Sequence, residues 1–203
     1  MLKLTQRRQY QKSLIARTYW NYRDAAIFKF IVGPKIIDLG CGEGITLEKI
    51  IQKFSQSQVL GVDNDPEKIK ICHQHRLPAK TGDITHLPFK SNTFDCALLI
   101  EVIEHLEVNQ VNQAIKEVHR VLRPGGRLIV LFPHDRNFKI GRLLTLKLKE
   151  AFHDYGHLRQ WQPTQARKLF QKVGFQIVGQ RSLPINFWPL SLHHLLVTIK
   201  QGG

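Results

Sequence analysis

The chain has 203 residues, with 30 Lys and Arg against 16 Asp and Glu, and a formal net charge of +14. That length is ample for one domain with a large core, and no repeat, low-complexity tract or linker divides it. Three cysteines, Cys41, Cys72 and Cys96, lack metal-ligand spacing, which excludes a disulfide scaffold and points to a reducing compartment, read here as the cytoplasm.

The charge is unevenly spread. Residues 1–35 carry eight Lys/Arg and one acid, residues 36–134 carry eleven and twelve, and residues 135–203 carry eleven and three. A nearly neutral middle is therefore flanked by two cationic ends, which attract anionic partners. Three segments follow within one domain spanning 1–203: a basic helical cap over 1–34, a central half over 35–134 that would hold a cofactor, and a second half over 135–203 on the substrate side.

In chain order, Met1 to Tyr10 is polar and basic, unlike a secretory leader. Gln6 to Phe30 is basic with interleaved Tyr10, Tyr19, Trp20, Tyr22, Phe28 and Phe30, and is expected to form one or two helices. Such aromatics pack on a domain body or stack on a substrate ring. Ile36 to Leu39 reads as a buried parallel strand. It holds Asp38 and is followed by Gly40, Gly42 and Gly44 at alternate positions. Ile45 to Phe54 reads as a helix burying Ile45, Leu47, Ile50, Ile51 and Phe54. A strand, glycine turn and helix let a ligand approach bare backbone at a helix N-terminus.

Gln58 to Asp63 reads as a second strand ending in an acid, 19 residues after Gly44. In nucleotide-binding α/β folds an acid at about this spacing accepts from ribose hydroxyls. Asp65 and Pro66 are suited to N-cap and first position of the next helix. Thr81 to Phe89 contains Asp83 and Ile84 after a third strand. Thr93 to Ile100 is a near-continuous apolar run, as expected of a central strand buried on both faces. It leads into Glu101-Val102-Ile103-Glu104-His105. A helix over 109–122 places Val111, Ala114, Ile115, Val118 and Leu122 on one face, and Arg123-Pro124-Gly125-Gly126 stops it. Arg127 to Phe132 is the fifth strand.

Phe138 to Phe152 has an amphipathic basic helical pattern, suited to a lid, a membrane-surface helix or an ordinary packed helix. Thr164 to Val173 reads as the last helix, Phe175 to Gln180 as a strand, and Leu192 to Ile199 as a final strand. Leu183 to Ile199 has no charged residue for 17 positions, but Pro184, Asn186, Pro189, His193 and His194 make it a hairpin rather than a membrane span. Strand–helix units repeated five times imply a doubly wound parallel sheet with helices on both faces.

The series Asp38-x-Gly40-x-Gly42-x-Gly44, Asp63, Asp83 and Arg123-Pro124-Gly125-Gly126 resembles the class I S-adenosylmethionine-dependent methyltransferases. A dinucleotide fingerprint would need a glycine where Ile45 stands. The resemblance covers about residues 35–182. It implies a Rossmann-like seven-stranded sheet whose last strand runs antiparallel, and S-adenosyl-L-methionine as cofactor. It also implies contacts from Asp38 to the ammonium, from Asp63 and Asn64 to the ribose, from Asp83 and Ile84 to the adenine, and from Ile100 beside them. The small-residue reading of Cys41 is preferred over a nucleophile, since no base is evident beside it.

An O- or N-acceptor must lose a proton, and His105 or His157 is the expected base. His134 and His153 are weaker candidates. The run Glu101-x-x-Glu104-His105 resembles both ubiquinone-pathway O-methyltransferases and small-RNA 2′-O-methyltransferases. The second resemblance implies a divalent metal on Glu101, Glu104 and His105, with His134 or His157 as a fourth ligand. The expected function is methyl transfer to a small or lipid-like, anionic acceptor without a metal. The alternatives are an RNA acceptor, peripheral membrane contact, and a non-catalytic cofactor-binding protein.

Overall fold

A computed structural model of the protein describes residues 14–134, 156–186 and 191–202, together with Arg7, Tyr10, Asn137 and Ile140. Seven strands form one sheet: β1 (Lys35–Leu39), β2 (Gln58–Asp63), β3 (Ala79–Thr81), β4 (Phe94–Ile100), β5 (Leu122–Pro133), β6 (Phe175–Leu183) and β7 (His193–Lys200). Their order is β3-β2-β1-β4-β5-β7-β6. The first five pair in parallel, and β7 runs antiparallel to both β5 and β6. Described helices are α1 (Leu14–Phe28), α2 (Ile45–Lys53), α3 (Pro66–Gln74), α4 (Val108–Val121) and α5 (Pro163–Lys172).

The apolar strands divide their side chains between two cores by simple alternation. Ile37, Ala97, Leu99, Leu128 and Val130 face one core, with Val111, Ile115 and Val118 of α4 and Phe170 of α5. Ile36, Cys96, Leu98, Ile129 and Leu131 face the other, with Ile27 of α1, Leu47 and Ile50 of α2, and Ile69 of α3. Full burial of each such aliphatic side chain stabilises the fold by roughly 1.5–3 kcal/mol. β4 lies between β1 and β5 and sends side chains into both cores, and its sequence is apolar apart from Asp95.

Two features differ from the expected alternation. No helix follows β3: the fully described segment 82–93 crosses to β4 as turns, bent by Pro88 and by Asn92 at φ 56°. Short turns suffice because Leu87 and Phe94 are buried and carry that crossover's packing. β5 also begins earlier than expected, at Leu122, which pairs with Phe94 before the register shifts to Cys96 with Arg127. Arg123-Pro124-Gly125-Gly126 is thus an irregularity inside the ladder as well as a helix stop, with Gly125 at φ 76°. The expected amphipathic helix over 138–152 lies almost wholly outside the described residues, as does His153. Among the described residues, no helix is long and apolar enough to cross a membrane.

Candidate active site

Parallel register brings three acids to one edge of the sheet. Asp38 lies one residue before the end of β1, Asp63 ends β2, and Asp83 follows β3 by two residues. β1, β2 and β3 are consecutive neighbours in the sheet. The glycine turn is stitched to that edge, since Gly40 N–H and Cys41 N–H both donate to the Val62 carbonyl at 2.7 and 3.0 Å. At Gly40 a side chain is doubly excluded: φ is +75°, and a Cβ would lie 2.4 Å from Val102 Cγ2. Gly44, at φ 77°, precedes α2 without any side-chain cap. Arg7 leans over this turn and donates from its guanidinium to the Glu43 carbonyl at 2.8 Å and the Gly44 carbonyl at 3.3 Å.

Asp63 is buried, and its oxygens accept from Gly42 N–H at 2.8 Å and Asp65 N–H at 3.0 Å. Each oxygen retains a lone pair for a further donor. Asp65 caps α3 through Glu67 N–H at 2.9 Å, as its sequence context requires. Asp38 is different. It is 2% exposed, and no hydrogen bond to its carboxylate forms among the described residues. Burial, with the nearby charges of Asp24 and Asp63, pushes its carboxyl up to about 7. Asp83 is solvent-facing and held below its ordinary range, chiefly because it accepts from Thr85 N–H at 2.8 Å. Ile84 beside it is buried.

The carboxyl end of β4 holds a second group. Glu101 has a positive φ of 57°, an uncommon conformation for a side-chain-bearing residue. That turn aims its carboxylate at Arg23 of α1, which donates at 2.6 Å, and at His193 of β7, 3.0 Å away. His193 Nδ1 lies 2.6 Å from the Tyr19 hydroxyl. Arg23 also donates twice to Asp24, at 2.9 and 2.8 Å. Burial opposes ionisation of Glu101, but the Arg23 guanidinium and His193 outweigh it and hold the carboxyl well below the usual range.

Glu104 and His105 lie in a short 3-10 turn after β4 (Ile103–His105). The segment after Gly156 is pinned to this turn, because Leu158 N–H donates to the Glu104 carbonyl at 2.8 Å and Trp161 Nε1–H to the Ile103 carbonyl at 3.1 Å. This brings the His157 ring to 4.8 Å from that of His105, edge to face. One ligand atom from each of Glu104, His105 and His157 lies within 4.8 Å of the others. Glu101, expected in that set, is instead engaged by Arg23 and His193. His134 is buried just past β5, and Ile100 ends β4. His105 Nδ1 lies 3.1 Å from the Gly156 carbonyl. A carbonyl only accepts, so Nδ1 carries the proton and Nε2 bears the lone pair. Partial desolvation of its ring, in a residue that keeps an exposed face, lowers the pKa of His105 below its ordinary value and favours this neutral form.

Residues 37–130 match the family model described as "Methyltransferase domain". The PH0226 protein from Pyrococcus horikoshii OT3 superposes with a TM-score of 0.74 at 24% identity, over 94% of this chain and 93% of that one. The sheet order, with its antiparallel seventh strand, is thereby accounted for.

Residues 37–130 form a methyltransferase domain of the S-adenosylmethionine-dependent kind.

Among sequence relatives, demethylmenaquinone methyltransferase from Lactiplantibacillus plantarum is 27% identical over 194 residues, covering 82% of this chain and 80% of that protein. Probable tRNA methyltransferase 9B from Homo sapiens is 36% identical over 99 residues, covering 48% of this chain but 21% of that protein. The chain spans 21% to 62% of the length of the other curated relatives compared. The residues at this edge suit S-adenosyl-L-methionine on their own chemistry. A bare buried carboxylate at Asp38 wants a cationic donor, and Asp63 offers two remaining lone pairs. The turn between them has glycine at alternate positions, so backbone forms part of that edge.

Sequence reasoning missed Arg23, Tyr19 and His193 as neighbours of Glu101. A histidine pair in an otherwise apolar final strand was the available signal.

Proposed function

We propose that this methyltransferase transfers a methyl group to an oxygen or nitrogen of a small or lipid-like acceptor, using the glycine-turn edge of the sheet to hold S-adenosyl-L-methionine. When bound, that cofactor supplies an electrophilic methyl carbon on a sulfonium. Asp38 would accept from its ammonium, Asp63 and Asn64 would engage the ribose, and Asp83 with Ile84 would engage the adenine. The burial of Asp38 without a hydrogen-bond partner among the described residues is the observation that carries this reading. Holding donor and acceptor in line is the main contribution such a site makes. His105 would accept the acceptor's proton at Nε2, and Gly156 fixes its tautomer. The cationic ends favour an anionic acceptor. A relative named for a quinone precursor supports a small acceptor. Free, buried cysteines suit a cytoplasmic setting. Calorimetry with S-adenosylhomocysteine tests the cofactor site: micromolar binding that Asp38→Ala abolishes is expected, and no binding by folded protein removes the reading.

A second reading rests on the Glu104, His105 and His157 group. A carboxylate with two imidazoles suits a divalent cation, which would orient vicinal hydroxyls of an RNA end or a catechol-like acceptor. Relatives named as tRNA methyltransferases give it support. Manganese binding followed by electron paramagnetic resonance separates the two readings: a Glu104→Gln-sensitive signal favours the metal, and its absence leaves His105 as a base.

A further inference from the structure

Two of the three cysteines converge on the glycine turn. Cys41 lies within it and Cys72 lies in α3, and both are buried. Both sulfurs address the same backbone oxygen, since the Gly42 carbonyl is 3.3 Å from Cys72 Sγ and 3.9 Å from Cys41 Sγ. Each thiol is also the strongest influence on the ionisation of the other. Each sulfur packs against a glycine: a Cβ at Gly61 would lie 2.8 Å from Cys41 Sγ, and one at Gly44 would lie 2.9 Å from Cys72 Sγ. Gly42, whose carbonyl they share, donates its N–H to Asp63 at 2.8 Å.

The two thiols are chemically unequal. The Cys41 hydrogen bond, and then the Arg7 charge, lower the Cys72 thiol. The same thiol–thiol contact, and then burial, raise Cys41. The Arg7 charge acts on Cys72 and not on Cys41, so Cys72 is the sulfur that ionises more readily. Cys96, in β4, is pushed up to about 12 chiefly by burial. A thiolate that attacks and a neighbouring thiol that resolves are the two parts a disulfide requires.

We infer that Cys41 and Cys72 form a peroxide-responsive disulfide that switches off the cofactor site. In the first step the Cys72 thiolate attacks a hydroperoxide oxygen, the O–O bond breaks, and the departing alkoxide takes up a proton. This leaves Cys72 as a sulfenic acid and the peroxide reduced to an alcohol, or to water for hydrogen peroxide. In the second step Cys41 sulfur attacks the Cys72 sulfur, its proton joins the departing hydroxide, and water leaves. Two thiols and one hydroperoxide thus become one disulfide, one alcohol and one water.

The disulfide draws the sulfurs to about 2.05 Å, much closer than a thiol–thiol contact. It also removes the S–H that Cys72 donates to the Gly42 carbonyl in the reduced chain, so the turn must shift. Because Gly42 N–H positions Asp63, that shift reaches the acid assigned to the ribose. The output of this switch rests on the glycine turn being the cofactor site, as proposed above.

The test uses the full reduced chain with and without hydrogen peroxide. A non-reducing peptide map is expected to show Cys41 joined to Cys72 with a loss of about two mass units, while Cys96 stays a thiol. S-adenosylhomocysteine affinity, by calorimetry, is expected to fall at least about tenfold and to return with dithiothreitol. Cys72→Ser, compared with itself before and after peroxide, is expected to show no such change. Peroxide-treated protein with both thiols intact overturns the inference, as does a Cys41–Cys72 disulfide that leaves affinity unchanged. The map needs no variant, so it decides even if Cys72→Ser misfolds. If reduced protein binds no S-adenosylhomocysteine, the cofactor reading fails and the switch loses its output, whereas failure to cross-link with normal binding sinks the switch alone.

Discussion

Asp38 makes the sharpest prediction because burial and function pull it in opposite directions. Its carboxyl is raised from an ordinary 3.8 to about 7 in the folded chain. At about 1.4 kcal/mol per tenfold change, ionised Asp38 destabilises the fold by about 4 kcal/mol. The sign follows from linkage. Below 3.8 the group is protonated both folded and unfolded, and costs nothing. Between 3.8 and about 7 the folded state binds more protons, so stability falls as pH rises. Above about 7 the whole cost is present. Asp38→Asn removes the charge but leaves a buried amide to satisfy, which costs about 1–3 kcal/mol. At pH 8 the variant should therefore be more stable than the parent by about 1–3 kcal/mol, or several degrees in melting temperature. That advantage should vanish or reverse by pH 5. The same variant should lose S-adenosylhomocysteine binding. Ligand binding to the parent near pH 6.5 should release a proton, because an ammonium facing Asp38 favours its ionised form; calorimetry in buffers of different ionisation enthalpy reads this. Thermal melts showing no pH-dependent difference between variant and parent would refute the reasoning, and so would a variant that binds as the parent does.

Other substitutions test separate parts. Leu99→Arg places an unpaired charge in fully buried β4 and should cost several kcal/mol, enough to abolish a cooperative melt; a near-parental melt would contradict the strand's burial. Arg23→Met strips buried Asp24 of its main partner and should destabilise by about 3–5 kcal/mol, measured by urea unfolding, with faster amide exchange along α1. His105→Gln should slow methyl transfer to any accepted substrate by about 10²–10⁴-fold while S-adenosylhomocysteine affinity holds. With His105 intact, rate should fall as pH drops through a midpoint below the ordinary 6.5, because partial desolvation lowers this imidazole. Gly40→Ala should weaken cofactor-product binding and stability together, since its Cβ would meet Val102.

Much of this molecule is local in origin. The apolar run at 36–39, the N-cap pair Asp65-Pro66 and the helical spacing of Val111, Ala114, Ile115 and Val118 each act within a few residues, and all stand where periodicity places them. The order of Asp38, Asp63 and Asp83 along one edge also follows from sequence, because parallel strands joined by right-handed crossovers leave their carboxyl ends together. The irregular crossover at 82–93 was not legible, since its packing comes from Leu87 and Phe94 rather than from any helical period.

What the chain alone determined was the sheet, its edge and the glycine turn, because hydrophobic alternation and backbone sterics are short-range. Which side chains meet at that edge was decided only by tertiary structure. Glu101 faces Arg23, 78 residues earlier, and His193, 92 residues later. His157 reaches Glu104 and His105 only because backbone hydrogen bonds pin its loop there. Cys41 and Cys72 share a carbonyl only because α3 packs beneath the turn. Such meetings depend on how whole elements dock, and one-dimensional spacing holds no record of that.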